Sequence, residues 1–170
     1  GPTGDEGEVR DLIASLAAPY ADEITVDTMG SLIVHKQGNG PRVMLCAHMD
    51  SIGCIVTHIE KEGFLRFGKV GGLHPHSILH TPVRFKSGVQ GVISLDEGVE
   101  PKDMTLDDLY IDIGAHDADE AKAMVQIGDT AVYNTPTFAA GDRLVSPYMD
   151  NRISCLVLLM AMEILQHSDN

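Results

Sequence analysis

Between Ser51 and Val145 the chain is a succession of short runs rich in β-branched, aliphatic and aromatic residues: GCIVTHI, GFLRFGKV, TPVRFKS, GVQGVISL, LYIDIG, TAVYNT and DRLVS. Glycine-containing turns separate them. Strands this short and this regularly spaced bury an apolar face together only by curling into a small β-barrel or stacking as a sandwich. One helix is expected to interrupt them, from Ala118 to Val125, with Asp117 placed to cap its first turn and Gly128 beyond its end. A stretch of about ninety-five residues is long enough for a core of its own.

The flanks have a different texture. In residues 6–20, Val9, Leu12, Ile13, Leu16 and Tyr20 recur at helical spacing, and Thr3 with Glu6 has the form of a capping box. EITVD, SLIVHK and RVMLCAH then predict three strands, and the last, apolar on both faces, suits the middle of a sheet covered by helices on both sides. At the other end, NRISCLVLLMAMEILQ has no Gly or Pro and is apolar all round, the pattern of a helix buried against a sheet. The order is α/β, then β, then α/β again. It predicts that residues 1–50 and 146–170 belong to one α/β domain and residues 51–145 to a β-barrel inserted in one of its loops. Because an inserted module commonly has its ends close together, positions 48 and 150 are expected to be neighbours.

With 25 acidic against 12 basic residues and a formal net charge of −13, the chain would be repelled by nucleic-acid phosphates and by anionic membrane surfaces. No apolar run approaches the roughly 18 residues of a membrane span, and GPTGDEGEVR has neither the basic nor the apolar region of a signal peptide, so a cytoplasmic location is expected. The chain opens without Met and stops soon after its apolar helix, which suggests a truncated protein. Cys46, Cys54 and Cys155 lie among apolar neighbours without CxxC spacing and are read as buried, reduced thiols.

His48 and Asp50 end the expected central strand, at the carboxyl edge where open α/β sheets place their ligand crevices. Side chains two apart on a strand point the same way, so Asp50 could hold one imidazole nitrogen of His48 while the other binds a metal. HMD could equally be a strand end running into a turn. Asp150 opens the last helix, where a carboxylate either caps the first turn or binds, and could bridge, divalent ions. Asn151 and Arg152 would orient neighbours. The pair His74 and His76, near His80, is read as a solvated loop kept open by Pro75, since no third ligand follows at a recognised spacing. His35, His58, His116 and His167 show no partner pattern.

The segments GPTGDEGEVR, AHMDSIGCIVTHIEKEGFLRFGKVGGLHPHSIL, YIDIGAHDADEA, IGD and MDNRISC, in this order and spacing, resemble metallopeptidase family forty-two, the glutamyl-aminopeptidase-like and tetrahedral aminopeptidases, some once labelled cellulases. The resemblance implies a mixed-sheet αβα metallopeptidase domain, here incomplete, carrying an inserted β-barrel that drives self-association from dimers to dodecamers. It implies two divalent ions, zinc or cobalt, in the complete protein, with His48 ligating one, Asp50 orienting that histidine and Asp150 bridging both. A peptide would be the substrate. Ser51 departs from the family's usual Glu at a position that is not a ligand. The family's general-base glutamate and remaining ligands belong to a C-terminal half, and no residues here match them, so the 170-residue chain alone is expected to be inactive. Two other readings are a barrel that assembles or binds without catalysis, and a glucan hydrolase working through two opposed carboxylic acids.

Overall fold

The computed structural model describes residues 1–166; His167 and the rest of the C-terminus lie outside the described residues. The chain divides into two compact units, one of residues 1–3 and 51–147, the other of residues 4–50 and 148–170.

In the second unit, helix α1 spans Gly7–Ala17 and continues as a 3-10 turn over Ala18–Tyr20. The helix starts at Gly7, later than the capping box at Thr3 predicts. The cap position falls on Glu6, whose carboxylate accepts from the Gly4 amide at 2.8 Å. Strands β1 (Glu23–Val26) and β2 (Leu32–His35) form an antiparallel hairpin in the register Glu23↔His35 to Val26↔Leu32. Asp27 fixes its turn by accepting from the amides of Met29 and Ser31 at 2.9 and 2.8 Å, and those amide dipoles lower its carboxyl pKa.

The third strand expected over RVMLCAH is absent: residues 41–50 adopt no ladder, and Val43 and Met44 are 78% and 86% exposed. A strand apolar on both faces forms only between neighbouring strands and under covering layers, and β1 and β2 pair with each other alone. For the same reason Cys46, expected to be buried, is exposed.

The first unit is the barrel. Strands β3 (Gly53–Ile59), β4 (Leu65–Val70), β5 (Pro82–Phe85), β6 (Gln90–Leu95), β7 (Leu109–Asp112) and β8 (Thr130–Tyr133) close in the order β3-β4-β7-β6-β5-β8, every pair antiparallel. Alternate residues point inward, among them Leu65 and Phe67, Val83 and Phe85, Leu109 and Ile111, all buried. A bulge between Val56 and His58 explains why Cys54, Val56 and then Ile59 face the core, breaking the two-residue period. Gly91 is required by close approach, since a Cβ there would lie 2.7 Å from the Ile111 side chain and 2.8 Å from the Asp112 carbonyl.

Helix α2 (Pro75–Ile78) follows β4, so His76 sits in a short helix where a loop was expected. Helix α3 (Ala118–Met124) starts as its sequence predicts: the Asp117 carboxylate accepts from the amides of Asp119 and Glu120, both at 2.9 Å. After β8, Pro136 cannot donate to a ladder. DRLVS, expected in the barrel, instead contributes β10 (Arg143–Val145), which pairs with β9 (Phe138–Ala140) as a separate exposed hairpin.

Back in the second unit, helix α4 spans Met149–Leu165, with non-helical backbone at Asp150 and Asn151 and a cis peptide between them. It was expected to be buried all round, yet Leu156, Val157 and Met160 are about half exposed and Ile164 more so. Ala17 and Cys155 are the only buried residues of this unit among those described, because a two-stranded hairpin covers little of a helix. No helix among the described residues is long and apolar enough to cross a membrane.

Arg66 of β4 fastens the barrel on its polar side. Its guanidinium donates twice to Asp96 at 2.9 Å, to Glu60 at 2.8 Å and to the carbonyls of Asp107 and Leu109, and it lies 5.8 Å from the Tyr110 ring centroid. Replacing Arg66 by Met leaves both carboxylates and two carbonyls without this donor, and is expected to cost ~2–3 kcal/mol by urea unfolding. Asp117→Ala should cost about 1 kcal/mol in the same assay. His116 donates through Nδ1 and its amide to Glu120 at 2.9 Å, which raises the imidazole pKa and lowers that of the carboxyl. The pair therefore stabilises most between the ordinary values of 4.5 and 6.5, fading as pH rises through the raised imidazole value or falls through the lowered carboxyl value. In an NMR titration His116 should titrate above 6.5, and Glu120→Gln should bring it back down.

Candidate functional site

His48, Asp50 and Asp150 come together within the unit formed by residues 4–50 and 148–170. His48 Nδ1 lies 2.9 Å from Asp50 Oδ1, and His48 Nε2 lies 3.2 Å from Asp150 Oδ1, across 102 residues of sequence. The first contact needs only a locally straight backbone. The second depends on where α4 begins: at Asp150 the chain has not yet entered helical geometry, with ψ at 107°, so the carboxylate points to the imidazole and not into the helix's first turn. Tyr148, in the left-handed region at φ 67°, precedes it and provides no side-chain cap. The capping role open to Asp150 in the sequence is thus not the one it takes.

This arrangement constrains what can sit between the two groups. If the imidazole is neutral and donates Nδ1–H to Asp50, Nε2 carries a lone pair aimed at a carboxylate oxygen. Two acceptors at 3.2 Å repel unless a proton or a cation lies against both. An imidazole nitrogen and a carboxylate oxygen bound to one tetrahedral zinc at ordinary bond lengths stand about 3.3 Å apart, so the spacing suits adjacent ligands of one ion. Asp50 faces the opposite edge of the ring and can only hold it. The groups that could face a cation are therefore one nitrogen and one carboxylate, and no group of three or more His, Cys, Asp or Glu placed to hold a metal occurs among the described residues.

The other histidines and the thiols stand apart from this site. His74, His76 and His80 build no metal cluster. His35 lies 4.0 Å from Glu23, and His116 is held by Glu120, partners that the sequence pattern did not reveal. Burial in the barrel pushes the Cys54 thiol up to about 12, far from a reactive thiolate. Ser51 is buried and donates to the Gly1 carbonyl at 2.9 Å, a backbone anchor in the barrel unit. Cys155 is buried, as its apolar neighbours predict, but its contact with the site was not foreseen: its thiol donates to the His48 carbonyl at 3.4 Å, and its place one turn after Arg152 was the available signal.

The sequence pattern of the M42 glutamyl aminopeptidases matches residues 30–170. A protein of Acetivibrio thermocellus, classed by name as a candidate aminopeptidase, is 42% identical over the whole of this chain and 52% of its own length. The lysyl aminopeptidase of Pyrococcus furiosus is 34% identical over 90% of this chain and 48% of its own. Among solved structures, the TET1 peptidase of Pyrococcus horikoshii, which can assemble into a tetrahedron or a large octahedral shell, superposes with a TM-score of 0.88 at 31% identity, covering 99% of this chain and 54% of that one. The chain spans about half the length of the curated relatives it matches. With the family pattern covering both His48 and Asp150 and most of the sequence between the termini, the chain belongs to the M42 glutamyl aminopeptidase family.

Proposed function

We propose that this chain is the N-terminal half of a dinuclear-metal aminopeptidase that removes N-terminal residues from short peptides, and that His48 and Asp150 are its contribution to the metal ligands. The observation that carries the reading is the facing of His48 Nε2 and Asp150 Oδ1 at 3.2 Å, with the other imidazole nitrogen held by Asp50. Membership of an aminopeptidase family supports the reaction class. Three unbridged cysteines suit a reducing, cytoplasmic setting.

Each residue has a distinct part. Asp50 fixes the imidazole tautomer and orientation and makes Nε2 a better donor. His48 presents that nitrogen. Asp150 has a second carboxylate oxygen beyond the one facing His48, and can therefore serve two cations at once. When bound, two divalent ions, zinc or cobalt, would lower the pKa of a water and polarise the scissile carbonyl. Proton transfer would fall to a glutamate from the half of the protein that the relatives' greater length implies. Self-association through the barrel, between dimer and dodecamer, is supported by the shell-forming relative of the same fold.

The 170-residue chain alone should release no p-nitroaniline from leucyl-p-nitroanilide, whereas a protein of the relatives' full length that contains it should, with activity lost on chelation. In the longer protein, His48→Ala and Asp150→Ala should each lower kcat/KM by at least about a hundredfold and Asp50→Ala by about 10- to 100-fold. Turnover by the isolated chain would overturn the half-site reading. Glucan cleavage that persists with chelator would favour the hydrolase with two carboxylic acids. Light scattering of the longer protein should give a mass of two to twelve subunits; a monomer would remove the assembly proposal.

A further inference from the structure

We infer that Arg152 and Cys155 are positioning residues for the His48–Asp150 pair, holding the backbone of the segment that carries the histidine. The inference rests on the proposed cation site and goes beyond its ligands.

Residues 41–50 enter no strand pair, so a sheet does not fix the place of His48. Helix α4 does so instead. The Cys155 thiol donates to the His48 carbonyl at 3.4 Å, and Arg152 Nε donates to the Met49 carbonyl at 3.3 Å. Residues three apart on a helix share a face, so the two donors address two successive carbonyls of one segment. Arg152 also reaches the other side of the site, because its guanidinium carbon stands 5.3 Å over the centroid of the Tyr148 ring, two residues before Asp150. One side chain thereby ties the segment bearing His48 to the segment bearing Asp150.

Both groups suit a positioning role better than ligation or nucleophilic attack. Cys155 is buried, and its thiol is already engaged as a donor to the His48 carbonyl. The guanidinium is planar, always charged and has no lone pair to offer a cation. A ligand pair tolerates only about 0.5 Å of displacement, and loss of the groups that hold ligands in place typically weakens metal affinity about 10- to 100-fold.

The test is a zinc titration of a protein of the relatives' full length that contains this chain, following the His48 ring nitrogens in a long-range 1H–15N spectrum, with thermal unfolding of the metal-free proteins alongside. At a zinc concentration that half-saturates the wild type, Arg152→Met and Cys155→Val should fall to under about a tenth saturation while unfolding at a similar temperature, as expected for a tenfold or greater loss of affinity. Cys155→Ser, which keeps a donor, should return close to the wild-type value. Variants that fold like the wild type and bind zinc equally well would overturn the inference. If Arg152→Met does not fold, Arg152→Lys decides, since it keeps the charge but not the planar Nε–H and should also lose zinc affinity. Failure of zinc to shift the His48 nitrogens of the wild type would instead refute the cation site itself, and the positioning role with it.

Discussion

The antiparallel pairing of β3 with β8, Cys54 opposite Ala131 and Ile55 opposite Thr130, is the contact on which the rest of the arrangement depends. It joins the first and last strands of the barrel, so the edges vanish and six short strands bury one continuous core from Cys54 to Ala131. It also brings the entrance of the barrel beside its exit. The strand that opens the barrel at Gly53 and the strand that closes it at Tyr133 thus meet at one end.

The two units differ in what their sequences can satisfy alone. In the barrel, each inward-facing residue has neighbours from adjacent strands, and the polar side is closed by Arg66 and its carboxylates. In the other unit the apolar residues outnumber the surfaces available to cover them: Leu12 on α1, Met44 in the unladdered segment and Leu156 and Met160 on α4 all remain about half exposed or more. Burial of an aliphatic side chain contributes ~1.5–3 kcal/mol, so such a unit gives up stabilisation that its composition could supply. The backbone of residues 48–49 is consequently held by helix side chains and not by a sheet.

How much the sequence disclosed follows the same division. Six of the strand-like runs became barrel strands, because the closed barrel gives each alternating run a partner on both sides, some of them distant in sequence, and the Asp117 cap was legible because capping is local. The strand at RVMLCAH and the burial of α4 were misread, since an apolar pattern states what a segment needs and not whether a partner is present. DRLVS was assigned to the wrong sheet: three residues of alternation cannot say which partner they take. At the site, the contact of Asp50 with His48 could be read from their spacing, whereas that of Asp150 needed the insertion argument, and the Cys155 thiol had no signature beyond its helical phase.

The choice between cap and ligand for Asp150 illustrates why geometry decides where residue type cannot. Aspartate before an apolar helix is the ordinary N-cap, and Asp117 acts as one with two amide bonds. At Asp150 the same side chain, two residues after a left-handed Tyr148 and before helical geometry is established, reaches an imidazole nitrogen instead. A carboxylate that faces an imidazole nitrogen lacks the compensation that the amides of a helix start would give it, and where that nitrogen carries a lone pair the combination favours a positive partner. The polar residues in the first turns of α4 thus act in concert. Asp150 faces His48, Arg152 and Cys155 hold the backbone of the segment that carries it, and the helix makes an unladdered stretch of chain into one side of a site.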